Sequence, residues 1–197
     1  MDFSEFETRC GGTWQIGGCT DYWSKLELGW QVSPTQNQHD AIAAVTLALT
    51  ETQRLLGCSL RDHLTDPESG EIRPVAIVTD NGGCFKSARF ARFIDRHPEL
   101  IHIRTRAKSP GQNGVRERAF HSLKYEHLYR HEIDDGHQLG IETETYRQLF
   151  NTTRRTQTPR RPPQSLSDSP DPQAIRTRNP ATFVKQDMRS RRSSVAR

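Results

Sequence analysis

Residues 74–83 read PVAIVTDNGG, and this stretch decides the fold. Its apolar run has no polar alternation, which is typical of a central strand covered on both faces. The run stops at Asp80, where Asn81 and Gly82 favour a tight turn. Ligand sites in open α/β sheets gather at the carboxyl ends of strands, so Asp80 is a candidate site residue. Taken alone, the three residues are better explained as a simple turn, because all three favour turns.

The segments on either side of this strand predict an α/β fold with a mixed sheet. Periodicity and turn signals supply the boundaries. The predicted elements are strands over 1–6, 13–19 and 26–32, a helix from Asn37 or Asp40 to Gly57, a polar loop over 61–73, the central strand, a helix over 87–94, a strand over 100–103, and helices over 115–129 and 138–151.

Charge divides the chain into two parts. From Arg154 onward there are 11 Lys and Arg against 3 Asp and Glu, a net charge of +8, whereas the preceding residues carry −4. We therefore predict a folded core over 1–157 and a Pro-, Arg- and Ser-rich tail over 158–197 that is extended or disordered. A basic tail suits a polyanion such as nucleic acid, although a solvated tail explains the charge equally well.

Several classes of protein are excluded or disfavoured. The four cysteines form no C-x-x-C motif, so reduced thiols in a cytoplasmic protein are the simplest interpretation. The first residues lack the apolar segment of a signal peptide, and no apolar run approaches the roughly 18 residues of a membrane span. His127 and His131 are four residues apart but do not form H-E-x-x-H, so we interpret them as surface histidines rather than zinc ligands.

Two further carboxylates are candidates beside Asp80. Glu117 lies near the start of a predicted helix, on a polar stripe with His121 and Lys124, although such a stripe is usually the solvent side. Asp2 opens the first predicted strand. Asp21 competes with Asp2, but it falls in a predicted hairpin turn, which already explains it, so we favour Asp2.

Four segments together resemble the catalytic core of retroviral integrases and bacterial insertion-sequence transposases. The similarity runs from about residue 2 to 166, and 36 residues separate Asp80 from Glu117, close to the spacing in that family. The segments are the opening from Asp2 to Lys25, the T-D-N-G-x-x-F-x-S segment from Thr79 to Ser87, the S-P-x-x-N-G-x-x-E-R … L-K-x-E segment from Ser109 to Glu126, and a segment like the closing Y-N-x-x-R from Phe150 to Arg154.

The resemblance implies a ribonuclease-H-like fold with a mixed sheet of about five strands flanked by helices. It implies an Asp-Asp-Glu site formed by Asp2, Asp80 and Glu117, holding two Mg²⁺ or Mn²⁺ ions for metal-dependent DNA strand cleavage and strand transfer. The implied partners are transposon-end and target DNA, further copies of the chain, and a separate helix-turn-helix protein or domain. The implied DNA contacts are Asn113, Arg116, Arg118 and Lys124.

The sequence also departs from the family pattern. Phe150 replaces the Tyr of the closing segment, Arg155 replaces its Pro, and no helix-turn-helix segment precedes the core. An alternative expectation is therefore a truncated, catalytically inactive DNA-binding remnant of a transposase. A nuclease of the same fold, which cuts without joining, is a third expectation.

Overall fold

The computed structural model describes residues 1–105 and 114–153, which contain five β-strands and six α-helices. The elements are β1 (Asp2–Glu7), β2 (Thr13–Thr20), β3 (Glu27–Ser33), α1 (Gln38–Leu56), α2 (Leu60–Leu64), β4 (Val75–Thr79), α3 (Gly83–Lys86), α4 (Ala88–Asp95), β5 (Leu100–Arg104), α5 (Gly114–Glu126), a 3-10 turn (Leu128–Arg130) and α6 (Gly136–Thr153). No described helix is long and apolar enough to cross a membrane.

The strands form the expected mixed arrangement. β1, β2 and β3 pair antiparallel in that order, and β4 pairs parallel with β5. The two groups meet where the amino group of Met1 donates a hydrogen bond of 2.7 Å to the Val78 carbonyl. The predicted α/β, ribonuclease-H-like fold is confirmed.

The helix after the hairpin shows why the sequence signals worked. The side chain of Asn37 accepts hydrogen bonds from the first turn of α1, and Asp40 accepts one from the Asn37 amide in return. This capping box uses both residues that the sequence offered as alternatives. Gly57 ends the helix in the left-handed conformation at φ 75°, where a side chain would be strained.

Two apolar cores lie on opposite faces of the sheet. One joins β1, β2 and β3 to α5 and α6, and the other joins α1, α3 and α4 to β5. The first contains Phe6, Ile16, Trp30, Phe120, Leu123, Leu128, Ile133, Leu139, Tyr146 and Phe150; the second contains Ala41, Val45, Cys84, Phe85, Phe90, Ile94 and Leu100.

The prediction that β4 is covered on both faces is wrong among the described residues. Val78 is 40% exposed, and Ile101, on the same face of the neighbouring strand β5, is 46% exposed. The core formed by α5 and α6 draws its strand residues from β1, β2 and β3, so it leaves this face of β4 and β5 open. An apolar run indicates that a strand can be buried on both faces, but whether it is buried depends on how the helices pack against it.

Three boundaries also differ from the predictions. The polar loop over 61–73 contains the end of α2 and an isolated bridge between Thr65 and Ile72. The short helix α3 lies where only a turn was expected. The helix predicted over 115–129 ends at Glu126, and a 3-10 turn follows it. The predicted tail over 158–197 lies outside the described residues.

Helix α6 is fastened to the edge strand β3 and to α1 by polar contacts. The side-chain oxygen Oδ1 of Asn151 accepts a hydrogen bond of 2.9 Å from the backbone amide of Glu27. The side-chain nitrogen Nδ2 of Asn151 donates one of 2.9 Å to the backbone carbonyl of Glu27. Arg147 donates to the same carbonyl and forms ion pairs with Glu144 and, at 3.1 Å, with Glu51 of α1. These contacts hold α1 and α6 against the same strand.

Replacing Asn151 is expected to destabilise the fold. Asn151→Leu leaves the Glu27 amide without its partner and leaves the Glu27 carbonyl with Arg147 alone, and a buried unsatisfied group costs about 1–3 kcal/mol. Urea denaturation would report the loss. The control is Thr152→Ala on the exposed side of the same helix, expected to stay within about 0.5 kcal/mol of wild type. Equal stability of the two variants would contradict this role for Asn151.

The ion pairs of Glu51 predict a stability effect that depends on pH. Hydrogen bonds from Arg54 and then Arg147 hold the pKa of Glu51 below its ordinary value of 4.5, against the opposing effect of burial. A lowered pKa in the fold contributes stability that is complete above about pH 4.5 and is lost as the pH falls through the lowered value.

We therefore expect Glu51→Gln to be less stable than wild type at neutral pH, and the two unfolding free energies to converge in acid. Urea denaturation at a series of pH values measures this. Glu68→Gln, which alters an exposed loop residue, is the matched control and should track wild type throughout. A gap for Glu51→Gln that stays constant into strong acid would show that the ion pairs contribute nothing.

Candidate active site

Asp80 lies directly after β4, in a turn that its own side chain stabilises. Its Oδ1 accepts a hydrogen bond of 3.0 Å from the Gly82 amide, and the Asn81 side chain donates one of 2.7 Å to the Thr105 carbonyl beyond β5. A Cβ at position 82 would lie 3.1 Å from Asp80 Oδ1, so a side chain there would crowd the carboxylate. Asp80 can therefore be both a turn residue and a site residue, because the turn fixes its partly buried carboxylate at the end of the strand.

Asp2 lies close enough to Asp80 for the two charges to interact. Burial raises the pKa of Asp2; the Phe3 amide, which donates a hydrogen bond of 2.8 Å, opposes this effect, and the negative charge of Asp80 reinforces it. Asp2 pairs with Gly18 across β1 and β2, so its side chain and the missing side chain of Gly18 point to the same face. The structure brings these two predicted ligands together.

Asp21, the competing candidate, is used by the hairpin turn. Its carboxylate accepts hydrogen bonds from the Ser24 amide at 2.7 Å and from the Ser24 hydroxyl, and its carbonyl accepts one from the Lys25 amide. These contacts supply the structural role that the sequence suggested, which favours Asp2 as the first ligand.

Glu117 is exposed in the first turn of α5, next to Arg116. A Cβ on Gly18 would lie 2.4 Å from Arg116 Nη2, so the start of α5 packs directly over the strand position opposite Asp2. This contact carries Glu117 to the end of the sheet where Asp2 and Asp80 lie. The three carboxylates nevertheless do not form a group within 4.8 Å of one another among the described residues.

Arg116 was predicted to contact DNA, but the structure buries its side chain. Arg116 is 3% exposed and forms an ion pair with Glu27, which is fully buried. It also donates to Thr20, and its guanidinium lies 4.1 Å from the centre of the Phe120 ring and 5.0 Å from that of Trp30. A side chain enclosed in this way cannot reach a phosphate without opening the core.

The remaining predicted DNA contacts differ in their exposure. Arg118 is exposed on α5, one residue after Glu117. Lys124 lies two turns further on and is partly buried; burial lowers its pKa, and the charge of Glu5 opposes that shift. Asn113 lies outside the described residues. Arg118 and Lys124 therefore remain as predicted phosphate contacts in the described part of α5.

A different set of side chains meets the 4.8 Å distance. His127 and His131, which flank the 3-10 turn, meet Glu142 of α6. His127 is 9% exposed, so its interpretation as a surface histidine is wrong. The sequence could not supply Glu142, because it reaches the histidines only through the packing of α6 on α5.

Glu27 is the second residue that the sequence did not single out. It accepts hydrogen bonds from Trp30 Nε1 at 2.6 Å and Thr20 Oγ1 at 2.8 Å, besides the ion pair with Arg116. A buried charge of this kind needs a buried partner, and no spacing rule links residues 27 and 116. The only signal was a lone acidic residue inside an apolar strand.

Comparison with known proteins agrees with the geometry. Residues 99–163 match the family model described as an integrase core domain. A chain of the simian T-cell lymphotropic virus intasome in complex with PP2A regulatory subunit B56 gamma aligns with a TM-score of 0.61 and 18% identity over 87% of this chain and 54% of that chain. The chain has the fold of an integrase catalytic core.

A second integrase structure is similar over most of its length. The HTLV-2 integrase catalytic core domain, in its magnesium-bound trimeric form, aligns with a TM-score of 0.55 and 16% identity over 82% of this chain and 89% of that chain. The chain spans about half the length of the simian virus chain it matches. No curated protein sequence matches it.

The buried pair beneath this integrase-like site is expected to control stability. Arg116→Met leaves Glu27 buried without its cation, which costs about 3–5 kcal/mol. Arg118→Met, one helical position away from Glu117 on the exposed side, should change stability by less than about 0.5 kcal/mol. Chemical denaturation of both variants measures the difference.

A double variant measures the interaction energy between Glu27 and Arg116 apart from their other contacts. Glu27→Gln combined with Arg116→Met removes both charges, so it should be more stable than the sum of the single losses predicts. Additive losses would show that the two side chains act independently, against the ion pair described above.

Proposed function

We propose that this chain is the catalytic core of a DNA transposase or integrase that carries out metal-dependent DNA strand cleavage and strand transfer. The observation that carries the proposal is that Asp2, at the start of β1, lies close enough to Asp80, at the end of β4, for their charges to interact, with the exposed Glu117 on the helix packed over the strand position opposite Asp2. The match of residues 99–163 to an integrase core domain, which includes Glu117, supports it independently.

The carboxylates suit a hard divalent cation. Burial and the charge of Asp80 both raise the pKa of Asp2, so the pair is electrostatically unfavourable while both groups are ionised and lack a cation. Carboxylate oxygens are the ligands that Mg²⁺ and Mn²⁺ prefer. We propose that Asp2, Asp80 and Glu117 hold two such ions. Bound there, the ions supply charge that stabilises the phosphate in the transition state and favours deprotonation of an attacking water or 3′-hydroxyl.

The protein's own contribution is positioning. The Gly82 amide orients the Asp80 carboxylate, and the Phe3 amide orients that of Asp2. Buried Arg116 fixes the first turn of α5, from which Glu117 and Arg118 project. Arg118 and Lys124 hold backbone phosphates without reading sequence. Such a site accelerates the reaction by orientation and charge, with no covalent enzyme intermediate.

The partners follow from this chemistry. The substrate is DNA, both transposon ends and target, and we propose that several copies of the chain assemble on it in a bacterial cytoplasm. The simian virus relative is part of an intasome, and the HTLV-2 core is described in a trimeric form, which supports assembly. Recognition of the ends is assigned to a separate helix-turn-helix protein or domain.

The proposal predicts a metal-dependent activity that the carboxylates control. The chain with Mg²⁺ or Mn²⁺ and supercoiled plasmid should nick the plasmid and join a labelled blunt duplex to it. Asp80→Asn and Glu117→Gln should reduce both products to the metal-free background. Asp95→Asn, an exposed carboxylate at the end of α4, is the matched control and should retain activity.

The products distinguish the alternatives. Nicks without joined strands would identify a nuclease of the same fold. DNA binding that falls with salt, without cleavage under either metal, would identify a non-catalytic remnant. Cleavage that survives Asp80→Asn would overturn the assignment of the site.

A further inference from the structure

We propose that His127, His131 and Glu142 form a zinc site that fastens the turn between α5 and α6. One ligand atom from each lies within 4.8 Å of the other two. The set combines two imidazoles with a carboxylate, a ligand combination that zinc accepts and that Mg²⁺ does not favour. The site is separate from the carboxylates of the proposed active site, so it adds a metal of a different class.

Backbone structure holds the two histidines in place. His127 begins the 3-10 turn and His131 ends it; the Arg130 amide donates to the His127 carbonyl at 2.9 Å, and the His131 amide donates to that of Leu128 at 3.2 Å. The turn brings the two rings to a centroid distance of 4.4 Å. Because a ligand atom of each ring already lies within 4.8 Å of the other and of Glu142, little rearrangement is needed to bind an ion.

The carboxylate comes from the neighbouring helix. Glu142 Oε2 lies 2.7 Å from His127 Nε2, and the two side chains are 20% and 11% exposed. A partly buried carboxylate favours a cation close to it. The ring of Tyr146 packs 5.4 Å from that of His127, and its hydroxyl donates to Glu126 at 2.9 Å. This neighbour restrains the His127 ring in the way that outer-shell residues orient metal ligands.

The exposed side chain of His131 closes the site. One of its ring nitrogens already lies within 4.8 Å of the other two ligand atoms, and its exposure leaves a route for an ion from solvent. Three protein ligands leave one position of a tetrahedral zinc ion for water. Because Glu142 lies on α6 and both histidines follow α5, a bound ion would join the two helices that pack over the sheet.

The rival explanation is a plain hydrogen bond between His127 and Glu142, with His131 stacked beside it by chance. That arrangement needs no metal, and His131 contributes nothing to it beyond ring contact. The two explanations differ in what happens when His131 alone is removed, since its loss leaves the His127–Glu142 contact intact.

Zinc titration of the full chain against a chromophoric chelator is the test, in buffer with Mg²⁺ to occupy hard carboxylate sites. We expect one zinc ion per chain and an upward shift of the melting temperature with zinc. Loss of an outer-shell partner alone costs about 10–100-fold in metal affinity, so His131→Gln and Glu142→Gln should each weaken binding by at least about tenfold.

The matched control is His121→Gln, which removes an exposed histidine that also stacks on an aromatic ring, that of Tyr125 at 4.3 Å. It should bind zinc as wild type does. Circular dichroism of each variant before titration would establish that it is folded. Because His131 is exposed, His131→Gln is the variant least able to disturb the core.

Cobalt in place of zinc reports the ligand type. Visible bands of a tetrahedral ion without a thiolate charge-transfer band support the site, whereas thiolate bands would assign the metal to the cysteines and overturn it. Equal affinity of wild type and His131→Gln, or no stoichiometric binding, would also overturn it. None of these measurements uses DNA, so their outcome is independent of the proposed strand-transfer activity.

Discussion

The buried ion pair between Glu27 and Arg116 is the interaction on which the rest of the structure depends. Glu27 begins the edge strand β3, and its carboxylate is satisfied by Arg116, Trp30 and Thr20. Its backbone is held by Asn151 of α6. One residue therefore joins the sheet to both helices that cover this face. A buried pair of this kind gives little net stability over an apolar replacement, but removing one partner is costly, so it enforces one arrangement of α5 and α6.

The contacts of Glu27 and Arg116 also explain two residues within the segments that resemble the integrase family. The asparagine of the closing segment, Asn151, is a structural residue that binds the backbone of Glu27 on β3. The glycine opposite Asp2, Gly18, is required because the guanidinium of Arg116 occupies the space of its side chain. Both residues serve the placement of α5 and α6, and neither needs to touch a substrate to be indispensable.

Much of the fold was readable from the sequence because its signals are local. The capping box at Asn37 and Asp40, the left-handed Gly57 and the strand ending at Asp80 all depend on residues close together in the chain. The burial of β4, the role of Arg116 and the meeting of His127 with Glu142 depend on how helices pack, which no local pattern reports. Arg116 in particular lies in the first turn of a helix that looks polar in sequence, and the family resemblance implied that it contacts DNA.

The candidate site also combines residues that local sequence predicts with a residue whose position depends on packing. Asp80 was found from its strand and turn, and Asp2 from its place at the start of β1, whereas the relation of Glu117 to both is set by the residue before it. Successive residues of a helix project about 100° apart, so burying Arg116 against β2 turns Glu117 outward at the end of the sheet. The buried cation thus fixes the direction of the exposed carboxylate. A helix anchored by apolar contacts alone could rotate by a fraction of a turn at small cost, but rotation here would pull a charged group out of its ion pair. The position of Glu117 is therefore determined by the buried ion pair in the core, although Glu117 itself lies on the surface.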